Sequence, residues 1–283
     1  SSRPFLPAAL LSAALLACGP AAAQEKVLRI AMTAADIPRT LGQPDQGFEG
    51  NRFTGIPMYD SLTQWDLSKA DAPSVLIPAL STSWAVDAKD KTKWVFKLRN
   101  DVKFHDGSAF NADDVVYSIN RAKEPTSQIA VYANAVGTPK KIDDYTVEFE
   151  MTKVNPIFME HVQPLFIMDK EWSEKNKATK PQDFKNKEEH FAAMNANGTG
   201  PYILVKREPG IKTTWKRNPN YWRPVEGNVQ EVVFTPIGND ATRSAALISG
   251  ELDFILDPPP RDVARLRSTA GVKIIDGPEN RIV

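Results

Sequence analysis

Three histidines, at positions 105, 161 and 190, and a single cysteine, Cys18, are the scarce raw material for nucleophilic or metal chemistry in this 283-residue chain. His105 stands beside Asp106, the order of an acid–base pair, but Gly107 and Ser108 follow at once. Asp-Gly between apolar-bearing runs signals a tight turn, because glycine tolerates positive φ. That position assigns His105 a structural hydrogen bond rather than proton transfer. His161 and His190 are too far apart for a local metal motif. Gly198-Thr199-Gly200 lacks the continuation and the lysine of a phosphate loop, and Asn197-Gly198-Thr199 matches a glycosylation acceptor only by coincidence. The pairs Asp113-Asp114 and Asp143-Asp144 read as a helix start and a turn, both solvated. No catalytic residue, metal site or cofactor is expected, and nothing in these residues calls for an enzyme.

The elements around these residues form a consistent local grammar. Trp94, Phe96 and Leu98 alternate with Val95 and Lys97, the period of a strand with one buried face. Past the 105–108 turn, Asn111 is a good N-cap and Asp114 falls three residues on. Val115, Val116, Ile119 and Ala122 then lie along one helical face. Further on, Gly198, Gly200 and Pro201 set a sharp entry into a strand over 202–207, and Pro209-Gly210 turns the chain back through 211–216. Asn218-Pro219-Asn220 breaks that strand, and Tyr221-Trp222 supplies a large anchor expected to pack rather than to touch ligand. A strand over 231–236, a helix over 241–249 closed by Gly250, and a strand over 252–256 follow, an order that suggests α/β packing. Tyr145, Val147, Phe149 and Met151 mark another half-buried strand, ended by Asn155-Pro156. The polar run 173–187 reads as a surface connection or exposed helix.

Two of these stretches, residues 78–122 (PALSTSWAVDAKDKTKWVFKLRNDVKFHDGSAFNADDVVYSINRA) and 197–222 (NGTGPYILVKREPGIKTTWKRNPNYW), together resemble the dipeptide and oligopeptide-binding proteins. These are the bacterial extracellular solute-binding proteins of family 5, receptors that deliver ligands to ABC importers. The resemblance covers most of residues 27–283. It implies an α/β, periplasmic-binding-protein-like lobe (type II, cluster C-like) with an inserted α+β subdomain, the second lobe following the point where this sequence ends. It also implies the division: residues 24–58 and 160–283 as the larger α/β domain, and 59–159 as the insert.

Composition fits an exported, soluble binder. With 42% hydrophobic and 25% charged residues the chain can bury a sizeable core and more than one domain. Thirty-five basic residues balance 35 acidic ones, so no long-range field recruits nucleic acid or an anionic membrane. Arg3, the apolar run from Phe5 to Ala17 and the small residues Ala21-Ala22-Ala23 form the pattern of a signal peptide over 1–23, hence a periplasmic protein. Cys18 after Leu15-Leu16-Ala17 offers the second route of a lipid-anchored form. Without another cysteine the mature fold holds no internal disulfide.

Ligands of open α/β sheets gather at strand carboxyl ends. Two such ends stand out, and both match cleft-lining stretches of the family by position. The first strand, 27–32, runs into Thr33 and Ala34, expected to give main-chain hydrogen bonds to an extended ligand. The strand 252–256 runs into a stiff triple-proline loop that presents Leu256 and Asp257. Glu49, beside Gly47 and Gly50, and Asp257 are the expected partners of a cationic group, although Asp257 could equally cap the helix after the prolines. The resemblance implies a monomeric substrate-binding component that captures a short peptide, docks on permease and ATPase subunits, and closes by a hinge. Opines, sugars, nickel complexes and haem are alternatives within the family. A secreted hydrolase with catalytic residues beyond Val283, and a chaperone-like periplasmic protein using Trp65 and Trp84 as exposed apolar contacts, are the readings from other classes.

Overall fold

The computed structural model describes residues 26–33, 56–69, 72–183, 185–186 and 190–277. Its larger sheet is built from the ends of the chain. The opening strand β1 (Lys26–Met32) pairs in parallel with β10 (Val229–Pro236) on one side and with the short β11 (Phe254–Ile255) on the other. The hairpin of β8 (Tyr202–Glu208) and β9 (Lys212–Arg217) extends it antiparallel, giving the order β11-β1-β10-β9-β8. The hairpin turns where Pro209-Gly210 requires it, with Gly210 at φ 73°. Strand β11 is shorter than the apolar run 252–256 suggests; just before it, Asp253 donates its backbone N–H to the Arg29 carbonyl at 2.9 Å, while its carboxylate accepts from the Arg29 N–H at 2.8 Å.

Between β1 and β8 lies a second, antiparallel sheet. Strands β4 (Ser81–Val86), β5 (Lys93–Leu98), β6 (Thr138–Asp143) and β7 (Thr146–Glu150) take the order β4-β5-β7-β6. A two-stranded ribbon of β2 (Thr63–Trp65) and β3 (Leu76–Pro78) leads into it. Helix α1 (Ala112–Ala122) covers this sheet, burying Val115, Ile119 and Ala122 with Val116 half-buried beside them. Its start is a full capping box: Asn111 accepts from the Asp113 N–H at 2.7 Å, and Asp114 accepts from the Asn111 N–H at 2.9 Å. Two short helices, α2 (Ala130–Ala135) and α3 (Phe158–Val162), flank its far end. Helices α4 (Lys170–Lys175) and α5 (Phe191–Met194) lie on the route back to β8.

One apolar core runs through both sheets. Ile30, Trp215 and Phe234 from the first sheet join Phe96 and Phe149 from the second, and Phe158 of α3, through Met58, Tyr59, Leu62, Leu80 and Ile167. Phe96 meets Phe149 edge-on at 5.4 Å, a favoured aromatic geometry. The opposite face of the first sheet buries Ala31 and Ile255 with Ala246 and Leu252, under helix α6 (Asp240–Ile248). Gly250 ends this helix at φ 79°. The last helix, α7 (Pro260–Ser268), starts on the triple proline.

Two expectations are corrected by packing. Trp84 is half-buried and stacked at 6.3 Å on Phe96, so only Trp65 of the two tryptophans stays exposed. The run 173–187 is no free surface connection at its start. Ser173 is fully buried, and the buried Arg121 of α1 donates Nε to the Ala178 carbonyl at 3.0 Å and Nη2 to that of Lys180 at 2.9 Å.

Candidate functional site at the strand exits

The three parallel strands end on one edge of the sheet. Ile30 and Ala31 of β1 lie opposite Phe254 and Ile255 of β11, so the chain leaves both strands in step, into Thr33 on one side and Leu256-Asp257 on the other. On the far flank the Ile237 N–H, just past β10, donates to the Met32 carbonyl at 2.9 Å. Thr33 and Asp257 are exposed and Leu256 is half-buried. Ala34 and Glu49 lie outside the described residues. The structure therefore brings together Thr33, Leu256 and Asp257 of the five residues singled out in the sequence.

Two arginines hold this edge in place, and neither stood out in the sequence. Arg29 grips Asp253 with two parallel bonds, Nε to Oδ2 at 2.9 Å and Nη2 to Oδ1 at 3.0 Å, which fixes the register of β11 on β1. The guanidinium holds the Asp253 carboxyl below its ordinary range. Arg243, buried in α6, donates Nη1 to the Ile237 carbonyl at 2.7 Å and Nη2 to Asp240 at 2.8 Å, shaping the loop after β10. The available signal was its spacing from the helix start, where Asn239 accepts from the Thr242 N–H.

Asp257 adopts the left-handed backbone conformation, φ 49°, directly before a proline. A residue in that place prefers the extended region, so the conformation costs about 1–2 kcal/mol. It does not cap α7, whose N-cap position is Pro259 without a side-chain hydrogen bond. Its carboxylate is thus committed neither to helix capping nor to an ion pair among the described residues.

The two resembling stretches meet at the opposite end of the sheet, just before Tyr202 opens β8 level with the starts of β10 and β1. The turn 105–108 docks on residues 197–200: the His105 N–H donates to the Gly198 carbonyl at 2.9 Å, and the Asp106 N–H to Asn197 Oδ1 at 3.1 Å. His105 Nε2 lies 2.9 Å from the Gly200 carbonyl, which can only accept, so the ring proton is on Nε2. Burial pushes this imidazole down to about 4, leaving it neutral. Asp106 accepts from Ser108 instead of pairing with the ring. Beneath, Asp60 is buried and accepts from Thr199 Oγ1 at 2.9 Å, Tyr221 OH at 3.0 Å and Trp222 Nε1 at 2.9 Å. Burial raises its carboxyl while these donors pull it back. Arg99 and Arg223 cover the Trp222 ring at 4.7 and 5.0 Å. Tyr221-Trp222 is therefore an anchor with a polar handle.

Asp114 is buried, contrary to the solvated helix start expected of it. Its oxygens and those of Asp169 and Glu171 lie within 4.8 Å of one another. Asp114 serves two backbone N–H groups, of Asn111 and Lys170, and Asp169 serves Trp172, Ser108 and Asn197. The buried carboxylates act as caps that tie α1, α4 and the 105–108 turn together. A hollow of about 280 Å³ on the sheet face, lined by Leu28, Ile30, Tyr202, Trp215, Val232 and Phe254, is apolar and offers no charge to orient a peptide terminus.

Known proteins share this architecture and sequence. The dipeptide-binding protein of Escherichia coli (strain K12) is 28% identical over 267 residues, covering 84% of this chain and 47% of its own length. Di/tripeptide-binding protein 3 of Pseudomonas aeruginosa (strain UCBPP-PA14) is 27% identical over 247 residues, covering 80% and 44%. The chain thus spans about half the length of the curated relatives it matches. Among solved structures, the periplasmic binding protein DppA of Helicobacter pylori in complex with the peptide STSA superposes with a TM-score of 0.73 at 24% identity, over 87% of this chain and 49% of the other. NikZ of Campylobacter jejuni in complex with Ni(L-His) gives 0.70 at 23% identity, over 86% and 46%. The description of bacterial extracellular solute-binding proteins, family 5 Middle, matches residues 75–283, the greater part of the chain, and the chain belongs to that family.

Proposed function

We propose that this chain is the ligand-facing lobe of the substrate-binding component of an ABC importer, and that the whole protein captures short peptides. The carrying observation is the match over residues 75–283 to a family of extracellular solute-binding proteins, whose relatives here are named for dipeptides and tripeptides. The strand exits supply the receptor chemistry. Asp257 offers a carboxylate free of capping to a peptide's ammonium terminus, and Thr33 offers main-chain groups to an extended backbone. Glu49, Ala34 and Leu256 complete the proposed contact set. Residues 59–159 form the inserted subdomain, and 24–58 with 160–283 the lobe itself. Closure against a second lobe is a population shift, because the ligand touches both lobes only in the closed state.

The protein works as a monomer outside the cytoplasm, handing its ligand to permease and ATPase subunits. Among the described residues no helix is long and apolar enough to cross a membrane. Export through the segment 1–23 is part of the proposal, with Cys18 as the alternative anchor. Native mass spectrometry of the full-length mature protein from its own host tests the reading. A co-purifying peptide mass released on denaturation is the expected result. An empty protein that gains no thermal stability from a peptide library would overturn peptide capture.

A further inference from the structure

We infer that the subdomain carrying β4–β7 holds a second site, for an oxyanion such as phosphate or a carboxylate, separate from the strand exits. A cavity of about 580 Å³ opens where the ends of α1 and α2 meet the loop 151–157 and α3. Lys123, the C-cap of α1, reaches into this corner and donates from Nζ to the Gly137 carbonyl. Among the described residues no carboxylate pairs with it, and burial without a counter-charge holds its ammonium below the ordinary lysine range. A half-buried cation with N–H groups to spare and only a neutral partner is stabilised by any anion that enters.

The same cavity is lined by Asn155 and His161, whose amide orientation and tautomer are fixed by their neighbours. Asn155 Oδ1 accepts from the Ile157 N–H at 3.2 Å, and its Nδ2 donates to the Ala135 carbonyl at 3.0 Å, so the amide orientation is set. The same Nδ2 faces His161 Nδ1 at 2.8 Å, so Nδ1 accepts and the ring N–H is at Nε2. Tyr132, edge-on at 6.0 Å, holds the ring plane. Lys153 adds an exposed ammonium on the rim. Glu150 is the carboxylate-bearing residue of the lining, and its side chain is engaged by Lys140 and Lys93. Two lysines and the His161 ring therefore line a cavity whose carboxylate is already engaged by other lysines.

The test uses the full-length mature protein with inorganic phosphate and with acetate, against chloride at matched ionic strength. Phosphate stabilises many proteins by exclusion from their surface, so the readouts are saturation and site dependence rather than a rise in Tm alone. The expected result is saturable binding with a Kd of about 1 mM or tighter and a shift of the His161 Nε2 resonance. Lys123→Gln keeps a donor for Gly137 and is expected to weaken binding about tenfold, with Lys153→Ala weakening it less. Saturating peptide leaves the response unchanged if the sites are separate. Saturation by acetate and not phosphate would make the ligand a carboxylate, and the reverse a phosphate. A linear, unsaturated response, an equal response in Lys123→Gln, or loss of the effect with peptide bound would each overturn the inference.

Discussion

At the scale of single residues, the buried carboxylates make the sharpest predictions. Asp60 satisfies three donors from residues 199–222, and Asp60→Ala leaves Thr199, Tyr221 and Trp222 short of an acceptor in a dry environment. A loss of ~3 kcal/mol is expected in urea unfolding. A loss below about 1 kcal/mol would mean that water replaces the carboxylate. Asp114 makes a pH prediction. Burial, with Asp169 and Glu171 nearby, raises its carboxyl to about 7 against the pull of two backbone N–H groups. Its folded value exceeds that of an unfolded aspartate, so its contribution is fully present below about pH 4 and is lost as pH rises through about 7. Stability should therefore fall by roughly 2–4 kcal/mol across that window. Asp114→Asn should flatten the decline, and an unchanged slope in that variant would assign it to other groups. The sequence showed the capping role of Asp114 through its spacing from Asn111, but not its burial, because α4 supplies the roof from 56 residues further along.

At the scale of elements, the contact between the 198–200 turn and residues 57–59 is a matter of backbone against backbone. A Cβ on Gly198 would stand 1.9 Å from the Met58 carbonyl oxygen, and one on Gly200 would stand 2.5 Å from the Met58 carbonyl carbon. Neither neighbour is the tip of a flexible side chain, so Gly198→Ala should cost more than ~3 kcal/mol or prevent folding. Gly210 is the control. It has positive φ and open space around it, so Gly210→Ala should cost only ~1 kcal/mol. Thermal unfolding of the two variants side by side checks the order, and equal losses would show that the Met58 contact yields. The sharp entry at Gly198-Gly200 was legible as a turn. Its reason, the close approach of residues 56–58, was not, since nothing local in either segment names the other.

At the scale of the whole molecule, the sheet edge is the place where the proposed ligand chemistry and the fold's own stability part company. Asp257 holds a left-handed conformation before a proline and spends its carboxylate on no cap. Asp257→Gly should stabilise the fold by up to ~1 kcal/mol. Together with Asp257→Ala, it should weaken peptide binding by the full-length protein about tenfold. Unaltered affinity in both variants would remove Asp257 from the contact set while leaving the family membership intact. Arg29 and Asp253 act earlier in the chain of causes, by fixing how β11 sits on β1. Arg29→Ala should therefore alter binding through the position of Asp257, an effect that Asp257→Ala in the same chain would mask.

Strand and helix types, the capping box at Asn111, the hairpin at Pro209-Gly210 and the family resemblance were all determined by the sequence itself. Each rests on residues within a few positions of one another, where periodicity, glycine freedom and proline restraint act directly. Only the tertiary structure decided which distant groups share a cavity. It joined residues 105–108 to 197–200, buried Asp60 and Asp114, stacked Trp84 on Phe96, and set Thr33 beside the exit that carries Asp257. Burial and long-range hydrogen bonding depend on chain segments brought together by a shared core, and their energies belong to the pair of segments rather than to either sequence alone.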